Sequence, residues 1–172
     1  MAQPEHQLVV IGGSAGAVEA LRAIIKQLPA DFAAAVLIVI HMAPEHGSSL
    51  PRLLSRWGPL PGMVATDGVA IEPGHIYVAP PGRHLLVEDG ALRLVLAAEV
   101  NRARPAIDPL FISAAEARGA DVIGVVLSGN LDDGSAGLDA VRRHGGLTLV
   151  QDPREASYPE MPSSAWPIMR KG

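Results

Sequence analysis

Residues 7–40 read as strand, glycine-rich turn, helix and strand, an order that leaves few folds open. Residues 7–11 are a short apolar run with β-branched members, and the glycines after them are read as ending the strand. From residue 17 to residue 28, Val18, Leu21, Ile24, Ile25 and Leu28 recur at helical spacing, and Pro29 closes the helix. Residues 35–40 are a continuous apolar run, as a strand buried on both faces requires. Such a βαβ unit joins its strands in parallel through a right-handed crossover, so the chain commits early to an α/β sheet.

The middle of the chain changes character. Residues 50–56 suit a short helix, and Pro59, Pro61 and Gly62 then break the chain. Between residues 67 and 96 the apolar runs 76–79, 84–87 and 91–96 alternate with Pro73-Gly74, Pro80-Pro81-Gly82 and Asp89-Gly90. An Asp-Gly pair between alternating runs signals a hairpin, and a small antiparallel insertion is expected here. Helix returns at 108–118, with Asp108 as N-cap and Pro109 at the first helical position. A buried strand at 122–127, a helix at 137–144 capped by Gly145-Gly146 and a last strand at 147–150 complete the regular elements. The tail from Asp152 reads as irregular up to Ser163. The expectation is one domain over residues 1–172, α/β, with a mostly parallel sheet and an antiparallel edge.

Composition narrows the partners. Aromatics are 3% of the chain, so the core must come from Val, Leu, Ile and Ala. A net charge of −4 with no dense basic run argues against nucleic acid, which requires a concentrated positive field. The chain has no cysteine, which removes thiol catalysis, disulfides and Cys-ligated zinc and fits a cytoplasmic setting. The polar start lacks the order of a signal peptide, and the apolar run 32–40 is far shorter than a membrane span, so no direct membrane insertion is expected.

In open α/β sheets, ligands bind beyond the carboxyl ends of the strands. Strand one delivers Gly12-Gly13-Ser14-Ala15-Gly16, which fits the G-x-S-x-G pattern of a nucleophile elbow. A plain glycine turn with Ser14 capping the helix fits the pentapeptide equally well. The second strand delivers His41, which alone would read as a structural imidazole. Paired with Ser14 at the neighbouring strand end, it becomes a candidate base. The strand at 122–127 leads into Ser128-Gly129-Asn130-Leu131-Asp132-Asp133-Gly134. Either acid could orient His41, or both could simply favour a helix start. A dinucleotide site fits poorly, since the glycines miss G-x-G-x-x-G and His41 stands where a ribose-binding acid belongs. No P-loop or H-E-x-x-H motif occurs, and His41 and His46 lack metal-pair spacing, so neither cofactor nor metal is expected. His75, His84 and His144 read as loop, strand and helix-end residues, and Met42, Met63 and Met161 as packing or loop residues.

Ile11 with GGSAGAVEAL, Val39 with IHMAPEH, Asp67 with GVAIEPGHIYVAPPGRHL, Arg104 with PAIDPLF, Gly124 with VVLSGNLDDGSAGL and the stretch 151–162 occur in that order. Together they resemble the catalytic domain of CheB-type protein-glutamate methylesterases, from about residue 9 to residue 162. The resemblance implies a doubly wound, mostly parallel sheet with an antiparallel hairpin at one edge. It implies a triad of Ser14, His41 and Asp133, the last chosen over Asp132 because it directly precedes the glycine of the loop. Backbone near Ala15 and Asn130 would position the substrate oxyanion. The implied reaction is hydrolysis of glutamate methyl esters on cytoplasmic chemoreceptor helices, with deamidation of certain glutamines. A separate receiver or methyltransferase protein is the other implied partner, since few residues precede the first strand and no attached receiver is expected. The chain departs from the family pattern at Ala15 and Ala17, at Ile40 before the histidine, at Asn130-Leu131 and at Ala106. Those departures leave two rival readings: a chemosensory binding module without strong catalysis, and a hydrolase of another ester or amide.

Overall fold

The computed structural model describes residues 7–41 and 49–170; Met42 and His46 lie outside them. The first half contains β1 (Leu8–Gly13), α1 (Ala17–Ile25), β2 (Ala35–Ile40), α2 (Leu50–Trp57), β3 (Gly62–Val64) and β4 (Ile76–Val78). The second contains β5 (His84–Glu88), β6 (Ala91–Val95), α3 (Ile107–Arg118), β7 (Val122–Val126), α4 (Ser135–Arg143), β8 (Leu147–Val150) and α5 (Glu160–Met169). Six strands form one sheet in the order β3-β4-β2-β1-β7-β8, and every pairing is parallel. The fold is the expected α/β class.

Alternation along β2 builds two cores at once. Ala35, Leu37 and Val39 face one side, where α3, α4 and α5 contribute Leu110, Phe111, Leu138, Val141, Met161 and Ala165. Val36, Ile38 and Ile40 face the other, against Leu21 and Ile25 of α1 and Leu50 and Leu54 of α2. A strand flanked by helices on both faces can be apolar at every position, and all six residues of β2 are buried.

The winding direction reverses at the centre. From β1 the chain goes to β2 on one side and later returns to place β7 on the other. Right-handed crossovers in opposite directions put helices on opposite faces and open a crevice at the carboxyl ends of β1 and β7.

Several local details differ from the sequence reading. β1 runs through Gly12 and Gly13, which pair with Val39 and Ile40, instead of ending at residue 11. A Cβ on Gly12 would lie 2.4 Å from Ile107 Cγ2, so this glycine serves the close approach of α3. β4 belongs to the parallel sheet, between β3 and β2, and is no part of an antiparallel insertion. The hairpin β5–β6 forms its own two-stranded sheet, with Leu85, Val87 and Leu92 in the core beside α3. Its turn is the expected one, with φ of 51° at Asp89 and 75° at Gly90. α3 begins at Ile107 with Ala106 as its N-cap, two residues ahead of the cap expected at Asp108, and α5 starts at Glu160 despite Pro162. Among the described residues, no helix is long and apolar enough to cross a membrane.

Candidate active site

Three strand ends converge on the crevice. Gly13 and Ile40 are partners in register, and the His41 N–H donates to the Gly13 carbonyl at 3.0 Å. Ser14 and His41 therefore leave adjacent strands side by side, about 5 Å apart at the backbone. The Ser14 N–H donates to the Ser128 carbonyl at 2.9 Å, which joins the turn after β1 to the loop after β7. Ser14, His41 and Asp133 line one cleft of about 620 Å³, together with Asn101, Arg102, Arg104, Asn130 and Leu131.

Asp133 is nearly inaccessible at 1% exposure, while the neighbouring Asp132 lies on the surface. The His41 Nε2 to Asp133 Oδ2 distance is 2.7 Å. With Nε2–H donating there, Nδ1 is the ring nitrogen left to accept a proton on the cleft side. Among the described residues no hydrogen bond joins Ser14 Oγ to the imidazole. An unliganded site commonly tightens that contact only when substrate arrives.

The carboxylate of Asp133 takes four hydrogen bonds. Oδ2 accepts from His41 and from the Ile107 N–H at 2.7 Å. Oδ1 accepts from Asn101 Nδ2 at 2.9 Å and from the Asp108 N–H at 3.1 Å. Asp133 thus caps α3, although it sits just ahead of α4. Asp108 does the reverse from the first turn of α3: its Oδ1 accepts from the N–H groups of Gly134 at 3.0 Å and Gly137 at 2.7 Å. Each helix start is completed by a carboxylate on the other side of the contact, and both carboxylates sit in positive helix-end fields.

Burial on its own raises the Asp133 carboxyl, but the bonds from His41, Ile107, Asn101 and Asp108 outweigh it and hold the group below the usual aspartate range. Asp108 goes the other way: burial pushes it up and the nearby Asp133 charge adds to that, against relief from Gly137, Asn101 and Gly134. The pair is therefore split, with Asp133 the firmly ionised member.

Behind Ser14, Ser128 is fully buried and organises the turn. Its Oγ donates to the Ala15 carbonyl at 2.8 Å and accepts from the Tyr158 N–H at 2.9 Å, and its N–H donates to Gln151 Oε1 at 2.8 Å. The Gly129 N–H is committed to the Tyr158 carbonyl at 2.9 Å, so it is unavailable to a substrate. Among the described residues no hydrogen bond takes the N–H of Ala15 or of Asn130. Gly129 must be glycine here, because a Cβ would stand 2.7 Å from Ser14 Cβ and 2.9 Å from Met161 Sδ.

Sequence reasoning does not single out Asn101, Asp108 as a bridge, or Ser128. Asp108 reaches Gly134, 26 residues on, and Ser128 reaches Ala15, 113 residues back, and no local pattern marks such contacts. His84 is likewise settled by distant partners. It is buried, with Nε2 on the Ala98 carbonyl at 2.8 Å and Nδ1 accepting the Ala106 N–H at 3.2 Å, a structural imidazole under the cleft loop.

Fold and site together define a doubly wound α/β protein whose central crevice gathers a serine, a histidine and a buried aspartate. The chain belongs to the CheB methylesterase family, whose profile matches residues 9–170. It is 40% identical over 166 residues to protein-glutamate methylesterase/protein-glutamine glutaminase 2 of Xanthomonas oryzae pv. oryzae, covering 94% of this chain and 46% of that protein. A second relative, protein-glutamate methylesterase/protein-glutamine glutaminase 3 of Anaeromyxobacter dehalogenans, is 40% identical over 94% of this chain and 48% of its own length. The chain thus spans about half the length of these curated relatives. The crystal structure of the Thermotoga maritima CheB methylesterase catalytic domain superposes with a TM-score of 0.90 at 33% identity, covering 95% of this chain and 88% of that one.

Proposed function

We propose that this chain is a protein-glutamate methylesterase domain in which Ser14 is the nucleophile, His41 the general base and acid, and Asp133 the group that orients His41. The observation that carries the reading is the 2.7 Å contact between His41 and the buried Asp133, in the same cleft that Ser14 lines. The names of the relatives support methyl esters of protein glutamate as the substrate, with protein glutamine deamidation as a second reaction; that these groups lie on cytoplasmic chemoreceptor helices is part of the proposal. A cytoplasmic setting and a separate receiver or methyltransferase protein as partner belong to the same proposal.

The chemistry runs as acyl transfer to water. His41 Nδ1 takes the Ser14 proton while Oγ attacks the ester carbonyl. The N–H groups of Ala15 and Asn130 are the donors for the oxyanion, each such donor being worth about 3 kcal/mol in the transition state. The imidazolium, stabilised by the anionic Asp133, then protonates the departing methoxide, which leaves as methanol. Water, deprotonated by His41, attacks the acyl-enzyme and releases glutamate and free Ser14. Deamidation takes the same path with ammonia as the leaving group.

The test is methanol release from methylated receptor. Ser14→Ala and His41→Ala are expected to lower turnover by about a thousandfold or more while circular dichroism stays that of the parent. Near-parental release by Ser14→Ala overturns the assignment.

A further inference from the structure

The charged loop over the cleft holds a residue whose geometry no step of the acyl transfer uses. Asn101 and Arg102 both adopt left-handed backbone, with φ of 52° and 63°. Reciprocal bonds between Val100 and Ala103, at 3.0 and 2.9 Å, close this tight turn. Asn is among the few non-glycine residues that tolerate such a conformation. The turn points the Asn101 amide down at the two buried acids. Its Nδ2 stands 2.9 Å from Asp133 Oδ1 and 2.7 Å from Asp108 Oδ2. An amide nitrogen carries two hydrogens, and here each has a carboxylate.

We propose that Asn101 is a positioning residue for the Ser14–His41–Asp133 site: its amide bridges Asp133 and Asp108 and fixes the carboxylate that orients His41. The inference rests on the reading of the site as a serine hydrolase.

Two carboxylates this close repel, and a shared donor between them offsets that repulsion without a formal cation. A lysine or arginine there would compete with the imidazole for Asp133 and weaken its hold on His41. The neutral amide avoids this. By holding Oδ1, it also leaves Oδ2 for the imidazole and the Ile107 N–H. Because the donor sits on the loop lining the cleft, the alignment of Asp133 depends on that loop being closed against the α3 and α4 starts.

The experiment compares Asn101→Gly with Asn101→Asp, using the rate at which a fluorophosphonate labels Ser14 alongside methanol release. Glycine keeps the left-handed turn and removes the amide. Aspartate keeps the turn and the side-chain size but replaces the donor with a third carboxylate. Asn101→Gly is expected to slow labelling and kcat about ten- to hundredfold, with KM changed less than about twofold. Asn101→Asp is expected to be slower than Asn101→Gly at pH 8 and to gain on it as pH falls and residue 101 regains a proton to donate. A purely space-filling residue would give the opposite ranking, with aspartate near the parent at every pH. The carbon-13 titration of the Asp133 carboxyl is the second readout: removing the amide should move it upward. If the parent labels at Ser14 and both variants label at the parental rate, the role of Asn101 is overturned and the hydrolase reading stands. If the parent itself neither labels nor releases methanol, the hydrolase reading falls and this inference falls with it.

Discussion

Asp133 concentrates more of the site's chemistry than any other side chain, because it serves a helix, a loop and an imidazole at once. In the proposed triad, replacing it with asparagine keeps the shape but removes the charge that would orient and stabilise the imidazole. Asp133→Asn is expected to reduce kcat for methanol release by about a thousandfold or more. The same residue gives stability a definite pH dependence. Its folded carboxyl titrates below the ordinary value of 3.8, so its contribution is complete above that pH and is lost as pH falls through the depressed folded value. Asp108 has the reverse sign: its raised folded carboxyl favours the folded state below 3.8, and that contribution is lost as pH rises through the folded value. Urea titrations between about pH 2 and 6 should therefore show a flatter acid side for Asp133→Asn than for the parent. Parallel curves would show that the carboxylate is not held as its hydrogen bonds indicate. Ser14 and His41 are legible as candidates in the sequence because each closely follows an apolar run. Choosing Asp133 over Asp132 needs the family pattern, since local sequence places two like acids together.

Elements are readable where their signal is local. β2 declares itself as an unbroken apolar run, α1 through its apolar spacing, and the Asp89-Gly90 turn through its dipeptide. β3 escapes notice because it is three residues long and follows Pro61. The run that becomes β4 is visible, but which neighbour it joins is decided by strands elsewhere in the chain. The cap of α3 is hidden for the same reason: the carboxylate that caps it comes from residue 133, not from Asp108. Gly12 and Gly13 suggest a turn in sequence, whereas their smallness serves the contact with α3 and α1. This gives a prediction at the scale of elements. Gly12→Ala would press on Ile107, whose N–H donates to Asp133, and is expected to cost about 1–3 kcal/mol of stability and to impair methanol release as well. A variant that loses neither, by thermal melting and by activity, would show that α3 can shift without disturbing the site.

At the scale of the molecule, the site is assembled from both halves of the sheet. β1 and β2 bring Ser14 and His41, the far side of the winding reversal brings Ser128 and Asp133, and Glu99 and the stretch 101–105 line the cleft beside them. Trp57 lies on α2, on the opposite face from α3 and α4, with Arg22 stacked over it. One cooperative unit should lose all of this together. Urea unfolding followed by Trp fluorescence, by far-ultraviolet ellipticity and by Ser14 labelling is expected to give one shared midpoint. An earlier midpoint for labelling would show that the cleft loop melts ahead of the sheet. The fold class can be anticipated from the opening βαβ unit, whereas this coupling cannot, because it resides in contacts that span the chain.

The reciprocal caps between α3 and α4 also bear on recombination. A chimera whose donor lacked an acid at position 108 or 133 would leave the opposite helix start without its acceptor and strand the remaining buried carboxylate. Residues 101, 108 and 133 must therefore be inherited, or exchanged, as a set.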